Sequence, residues 1–390
     1  RRIDSNIADE VEITSHPNSN KKYSGDFVIP ESVAHAGKQY KVTRIGYHAF
    51  YDCDGLTSVT IHPAIQSIGE GAFYDCANLG SVDIPESVET IENAAFQNCH
   101  ALTQVTLHDG LKYIDRYAFS GCVQLTSIEL PSTLTSIGEY AFSYLEALKS
   151  ISIPDGVSSI ANNAFQSCRS LVSVKLPAGL TTIRNSTFYS CTSLLSITIP
   201  SSVKTIENYA FQDCRSLTSL VIPQGVEEIM SAAFEGCYSL ASVSLPESMT
   251  AIKDYTFRNC QALTTVSLPK SLKVIEQGAF NNCKALPSIT IPENVQSIGK
   301  YAFTECSALK SVYAMPVTPP AMNKTDNDGN AFFGLTGNVV LYVKADAKDA
   351  YDSDSRWGEF DHVAVFDKVP SAQPIFVFDS HNYTLTISTT

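Results

Sequence analysis

The stretch Ile160-Ala161-Asn162-Asn163-Ala164-Phe165-Gln166-Ser167-Cys168-Arg169-Ser170-Leu171-Val172-Ser173-Val174-Lys175-Leu176-Pro177 decides the fold, because it recurs. Phe stands at 50, 73, 96 and then every 23 residues to 303, twelve times without a slip. Ile lies five residues before each of these Phe residues, and Leu six residues after. Cys follows each by three, except in one copy where Leu145 holds the place. A fixed period of this length marks a stacked repeat. Val174 and Leu176 alternate with Lys175, the pattern of a strand with one face buried. Pro177 lacks the N–H that would extend a ladder. Ala164, Phe165, Cys168 and Leu171 recur mostly at three to four residues, which suits a short helical turn. A single copy cannot bury these columns, but stacked copies can, with strands about 4.8 Å apart. The expectation is a repeat solenoid of twelve 23-residue copies, a rod on the order of 60 Å long. A parallel β-sheet forms one face, and short helical or irregular turns form the other.

Crossovers this short do not fit a βαβ domain; they fit a leucine-rich repeat of about 20–29 residues. The 390 residues therefore read as one repeat domain with caps, not as two or three ordinary domains. The charge is −13, from 27 Lys and Arg against 40 Asp and Glu. That balance argues against nucleic acid, whose phosphates call for clustered basic residues, and against anionic lipid. No apolar run approaches the roughly 18 residues of a membrane span, so no membrane insertion is expected. The chain starts with Arg1 and shows no secretory apolar segment, which fits a leader already removed.

The motif I-x-x-x-A-F-x-x-C-x-x-L-x-x-V-x-I-P, clean from Ile160 to Pro177, resembles the BspA-like (Treponema pallidum type) leucine-rich-repeat family. The resemblance spans roughly residues 24–368. Two copies depart from it at the Pro column, where His62 and His108 stand. It implies a leucine-rich-repeat solenoid and a secreted or outer-cell-surface protein. It also implies adhesin-like binding of a protein or glycan partner. Residues 1–41 read as an N-terminal cap, with a hairpin strand over 7–15, the first repeat strand at Phe27-Val28-Ile29, and a nine-residue insertion after Pro30. The solenoid proper is 42–314. A C-terminal cap follows over 315–368, with the lone Trp357 packed on the last repeat. Residues 369–390 read as the first hairpin of a truncated β-sandwich-like module, or as a tail packed on the solenoid.

All eleven cysteines fall in one column of the repeat. Stacking brings neighbours to about 5 Å, but parallel side chains keep their Cβ atoms at that distance, and a disulfide wants about 3.8 Å. Zinc wants converging pairs two to four residues apart. Leu145 fills the same slot without a thiol, so the column reads as small buried apolar groups. Asp326-Asn-Asp328-Gly-Asn330 has the oxygen density of a calcium loop. Its twelfth position, however, is Gly337 where an EF-hand wants Glu. No metal, cofactor or catalytic constellation is assigned: the sequence has no H-E-x-x-H, G-x-S-x-G or phosphate loop, and its acids scatter over turns.

Two surfaces remain as candidate binding sites. The exposed strand position carries Asp83, Thr106, Glu129, Ser152, Lys175 and Thr198, beside a column of Ser and Thr, and reads as a smooth hydroxylated face. A tyrosine set stands just before the Ala-Phe pair: Tyr117, Tyr140, Tyr209, Tyr255 and Tyr301. Exposed Tyr is a favoured recognition residue, though neighbours in the stack also support each other. The competing reading is a structural spacer that displays a C-terminal module; an enzyme is a distant third.

Overall fold

The computed structural model describes residues 10–16, 22–322 and 329–366, and the backbone of 375–379 and 384–388. The chain winds as a parallel solenoid. One row of strands includes Gly25–Val28, Leu56–Thr60, Ser81–Ile84 and Gln104–Leu107, and ends at His362–Val365. In Ser81–Ile84 the alternation does what the sequence requires: Val82 and Ile84 are buried while Ser81 and Asp83 face solvent. After Pro85, the Val88 N–H donates to the Pro85 carbonyl (3.0 Å) and turns the chain.

A second row, not anticipated from the sequence, consists mostly of two-residue strands such as Ser67–Ile68, Thr90–Ile91 and Tyr113–Ile114. Each of these two-residue strands except the last, Ala321–Met322, places one Ile in the core. Two residues are too few to show the period-2 pattern that reveals a strand.

The Ala-Phe segments are irregular turns, not helical ones, and they form a third ladder. The Phe73 N–H donates to the Ala95 carbonyl (2.7 Å), Phe96 to Ala118 (2.8 Å) and Phe119 to Ala141 (2.8 Å). Residues two before each Phe bond in the same way, as do those two after it from Asp52 to Asn282, for example Tyr117 to Glu139 and Asn98 to Ser120. Both of these positions are left-handed in every copy, with φ of 50–76° from His48 to Glu305. Such an alternation aims successive N–H groups along one direction and breaks any helix. None of the 24 residues at these positions is β-branched, which fits a conformation that β-branched residues avoid. Replacing Asn259 (φ 63°) by Val should therefore cost about 1–2 kcal/mol more than replacing it by Gly. Thermal melting of the two variants is the check, and equal midpoints would contradict this account.

The third ladder is directional, so its ends need partners. At the carbonyl end, Lys22 Nζ donates to the Tyr51 carbonyl (3.0 Å). At the N–H end, Asn330 Oδ1 accepts from the Phe332 N–H (2.8 Å).

The core is a set of stacked columns. The twelve repeat Phe rings stack face to face with centroids 4.9–5.8 Å apart and planes within 13°. The cysteines do more than fill space. Cys99 Sγ donates to the Phe73 carbonyl of the preceding copy (3.2 Å), and Cys168 to that of Phe142 (3.1 Å). The same bond recurs from Cys76 to Cys306, while Leu145 supplies none. Burial pushes the Cys76 and Cys122 thiols up to about 12, which keeps them protonated donors.

The ends differ from expectation in one respect. The described part of the predicted hairpin strand, Glu10–Ile13, runs parallel to Lys38–Ile45 and extends the second row. The hairpin is made instead by the insertion, Ser32–His35 against Lys38–Ile45. Ala36 and Gly37 take φ of 49° and 75° at its turn, the twist that two-residue hairpin loops favour. At the other end Trp357 is fully buried, 5.7 Å from Phe332 and 5.1 Å from Tyr351, and its Nε1 donates to the Pro320 carbonyl (2.9 Å). Phe332 in turn stacks on Phe303 at 5.0 Å, so the column continues past the last regular copy. Ile375–Asp379 and Thr384–Ser388 pair as an antiparallel hairpin.

Candidate functional site

The strand row presents the first candidate surface. Asp83 is in register with Thr106, and Ser152 with Lys175. Thr198 follows directly on the strand Ser196–Ile197. All five point away from the core, Thr106 half-buried and the rest exposed. Glu129 is exposed too, but residues 126–130 form no strand. The row's hydrogen bonding is interrupted there, and Asp83 and Thr106 lie on a different paired segment from Ser152 and Lys175. Where His108 replaces the usual Pro, its Nε2 lies 2.8 Å from Asp83 Oδ1 and ties down that carboxylate.

The middle of this face is not uniformly hydroxylated. Val172 (39% exposed), Leu195 (48%) and Val221 (72%) stand out from it, and the Leu195 N–H bonds the Val172 carbonyl (3.2 Å), which places those two side by side. The sequence reading missed Val172 and Leu195. The signal was available: the position after the core Leu carries Thr, Gly, Lys, Ala or Pro elsewhere, and large apolar groups only at these two.

The turn face presents the second candidate. Tyr117, Tyr140, Tyr209, Tyr255 and Tyr301 all occupy the left-handed position two before Phe. They are largely engaged with their neighbours. Tyr117 and Tyr140 stack at 4.9 Å, and the Arg116 guanidinium sits 4.8 Å from the Tyr117 ring. Arg258 lies 5.2 Å from Tyr255, and the Gln277 side-chain amide donates to the Tyr255 hydroxyl. Tyr301 meets Phe333 edge-on at 6.3 Å. Tyr209 is the most open of the five at 42%. The set thus falls into one stacked pair and three separate rings.

Among the described residues no group of three or more His, Cys, Asp or Glu could hold a metal ion. Asp326 and Asp328 of the calcium-like segment lie outside the described residues. No described helix is long and apolar enough to cross a membrane.

Stacked 23-residue turns around continuous Ile, Phe, Cys and Leu columns define a leucine-rich-repeat solenoid. Residues 32–146, 112–241 and 227–320 match the BspA type leucine rich repeat region, and the chain belongs to that family. Among solved structures, a leucine-rich repeat protein from Bacteroides ovatus is 27% identical, with a TM-score of 0.56 over 88% of this chain and 92% of that one. A leucine-rich cell surface protein from Faecalibacterium prausnitzii is 27% identical, with a TM-score of 0.49 over 75% of this chain and 89% of its own. The pneumococcal vaccine antigen PcpA is 20% identical, with a TM-score of 0.50 over 92% of each chain, a likeness of fold. No curated protein matches the chain.

Proposed function

We propose that this chain is a non-enzymatic binding protein, secreted or held at the outer cell surface, that engages a protein or glycan partner through the exposed strand row. The observation that carries this reading is the exposure of Val172 and Leu195 side by side, with Val221 exposed further along the next copy, on a face that is mostly small and polar. Large apolar side chains exposed together on a rigid, flat sheet are the kind of anchor that a partner covers. Lys175, three residues after Val172 and in register with Ser152, adds a charge to the same face, where it would bias orientation more than affinity.

The test is binding to immobilised extracellular-matrix proteins, wild type against a Leu195→Asp/Val221→Asp variant. Matrix-protein binding by the wild type that falls at least about tenfold in the variant is the expected result. No binding of any matrix protein or glycan by the wild type, or matrix-protein binding that the variant leaves unchanged, would overturn the reading. The antiparallel hairpin of Ile375–Asp379 and Thr384–Ser388 favours the second reading, a spacer that displays a further module. In that case binding would follow deletion of the hairpin and not the row variant.

A further inference from the structure

We propose that a notch on the turn face, between the first and fourth regular copies, is a binding site for a neutral oligosaccharide. This rests on the reading of the chain as a binding protein, and it names a different surface and a narrower ligand.

The notch arises from one column. Two residues before each Phe, the first five copies carry His48, Gly71, Ala94, Tyr117 and Tyr140. The His48 ring leans over Gly71, where an added Cβ would meet its Cδ2 at 2.3 Å. Ala94 is left with no ring over it, and the space above opens into a pocket of about 340 Å³. That is within the range of small-ligand sites. At its far end Tyr117 is backed by Tyr140 at 4.9 Å. Along one wall Tyr74 is backed by Tyr51 at 5.3 Å, and the next residue in that column is Gln97 in place of another ring. Tyr74 is thus braced from behind, which lowers the entropic cost of using it as a platform, while Tyr117, with the Arg116 guanidinium 4.8 Å from its ring, closes the far end.

The polar groups of the notch are of one kind. Glu70, Asn93 and Arg116 form the opposite wall in consecutive copies, and each is planar with several hydrogen-bonding positions. Asn93 Nδ2 donates to Glu70 Oε1 (3.2 Å), while Asn93 Oδ1 is buried without a partner. Arg116 is already paired with Glu139 (Nε to Oε2, 3.3 Å) and Glu70 is a carboxylate, so the site offers no unpaired cation to select an anionic ligand. A pyranose combines an apolar C–H face with a rim of hydroxyls that both donate and accept. Aromatic rings beside a carboxylate, two amides and a guanidinium match that combination. The other small pair of the column, Asn163 and Ser186, offers no comparable wall. Its side chains are satisfied locally, Asn163 Nδ2 by Gln166 Oε1 (2.6 Å) and Ser186 Oγ by Asn185 Oδ1 (2.7 Å).

The column supplies its own blocking variant. Ala94 has φ of 55°, and Tyr117 and Tyr140 hold the same position at 54° and 57°. Ala94→Tyr would extend the Tyr stack by one copy and fill the notch with a residue this backbone already accommodates. The experiment titrates cellotetraose, mannotetraose and chitotetraose against the wild type, Ala94→Tyr, Tyr74→Ala and the strand-row variant Leu195→Asp/Val221→Asp. The expected result is binding of at least one tetrasaccharide that weakens at least about tenfold in both notch variants and is unchanged in the strand-row variant. Binding that follows the strand-row variant, or no binding of any tetrasaccharide by a wild type that still captures a matrix protein, overturns the notch and leaves the binding reading standing. A wild type that binds neither sugars nor matrix proteins overturns both.

Discussion

Raising the pH above about 9 is expected to unfold this solenoid steeply. Free thiols in an unfolded chain ionise near pH 8.5–9. In the folded stack, burial raises the thiols of Cys76, Cys99, Cys122, Cys191, Cys214, Cys237, Cys260 and Cys283 well above that range. Above pH 9 the unfolded chain therefore holds fewer protons than the folded one. The stability these groups contribute is complete below the unfolded value and is lost as pH rises towards the folded ones. Each such thiol costs about 1.4 kcal/mol per pH unit, so eight together cost on the order of 10 kcal/mol per unit. That is comparable with the whole stability of a typical domain. Circular dichroism melts between pH 7.5 and 11, with reductant present, should show the midpoint collapsing within one to two units above pH 9. A midpoint that holds to pH 10.5 would contradict the buried, protonated column. As a second readout, iodoacetamide at pH 8 should label the denatured chain readily and the native chain hardly at all, since the thiolate is the reactive form.

Replacing Phe165 by Ala should cost about 3–5 kcal/mol. The ring is fully buried and stacks on Phe142 at 5.4 Å and on Phe188 at 5.6 Å. In a solenoid each copy touches only its neighbours, so one missing ring weakens two interfaces in the middle of the rod. The melting midpoint should fall on the order of 5–10 °C. Hydrogen exchange should show faster opening near copies five to seven than at the Phe50 and Phe303 ends, the reverse of ordinary fraying. Phe165→Leu should cost markedly less, because it leaves a smaller void. An unchanged midpoint in the Ala variant would refute the stacked column.

The candidate surfaces were less legible than the core, for a physical reason. Core columns repeat because every copy meets the same neighbours, so Ile, Phe, Cys and Leu recur at fixed steps. Binding residues are departures from a repeat. Val172 and Leu195 are visible only as exceptions at a position that is otherwise small or polar, and nothing in the sequence says that this position is exposed. The tyrosines were legible as a set, but not their left-handed backbone, nor the half-burial that turns Tyr117 and Tyr140 into a mutual support.

The sequence by itself determined the stacked architecture, its 23-residue period and the core columns, because strict spacing of apolar residues admits few ways to bury them. It also pointed Trp357 at the open core end beyond the decaying pattern, where the ring packs on Phe332 and Tyr351 of the closing segment and not directly on the last regular copy. The tertiary structure decided the rest. The second row of strands rests on single Ile residues that carry no strand period. The third ladder depends on backbone dihedrals that appear in the sequence only as an absence of β-branched residues. The role of the thiols as donors to the Phe carbonyls, from Cys76 to Cys306, follows from where a neighbouring copy's backbone lies, and a one-dimensional pattern does not contain that distance.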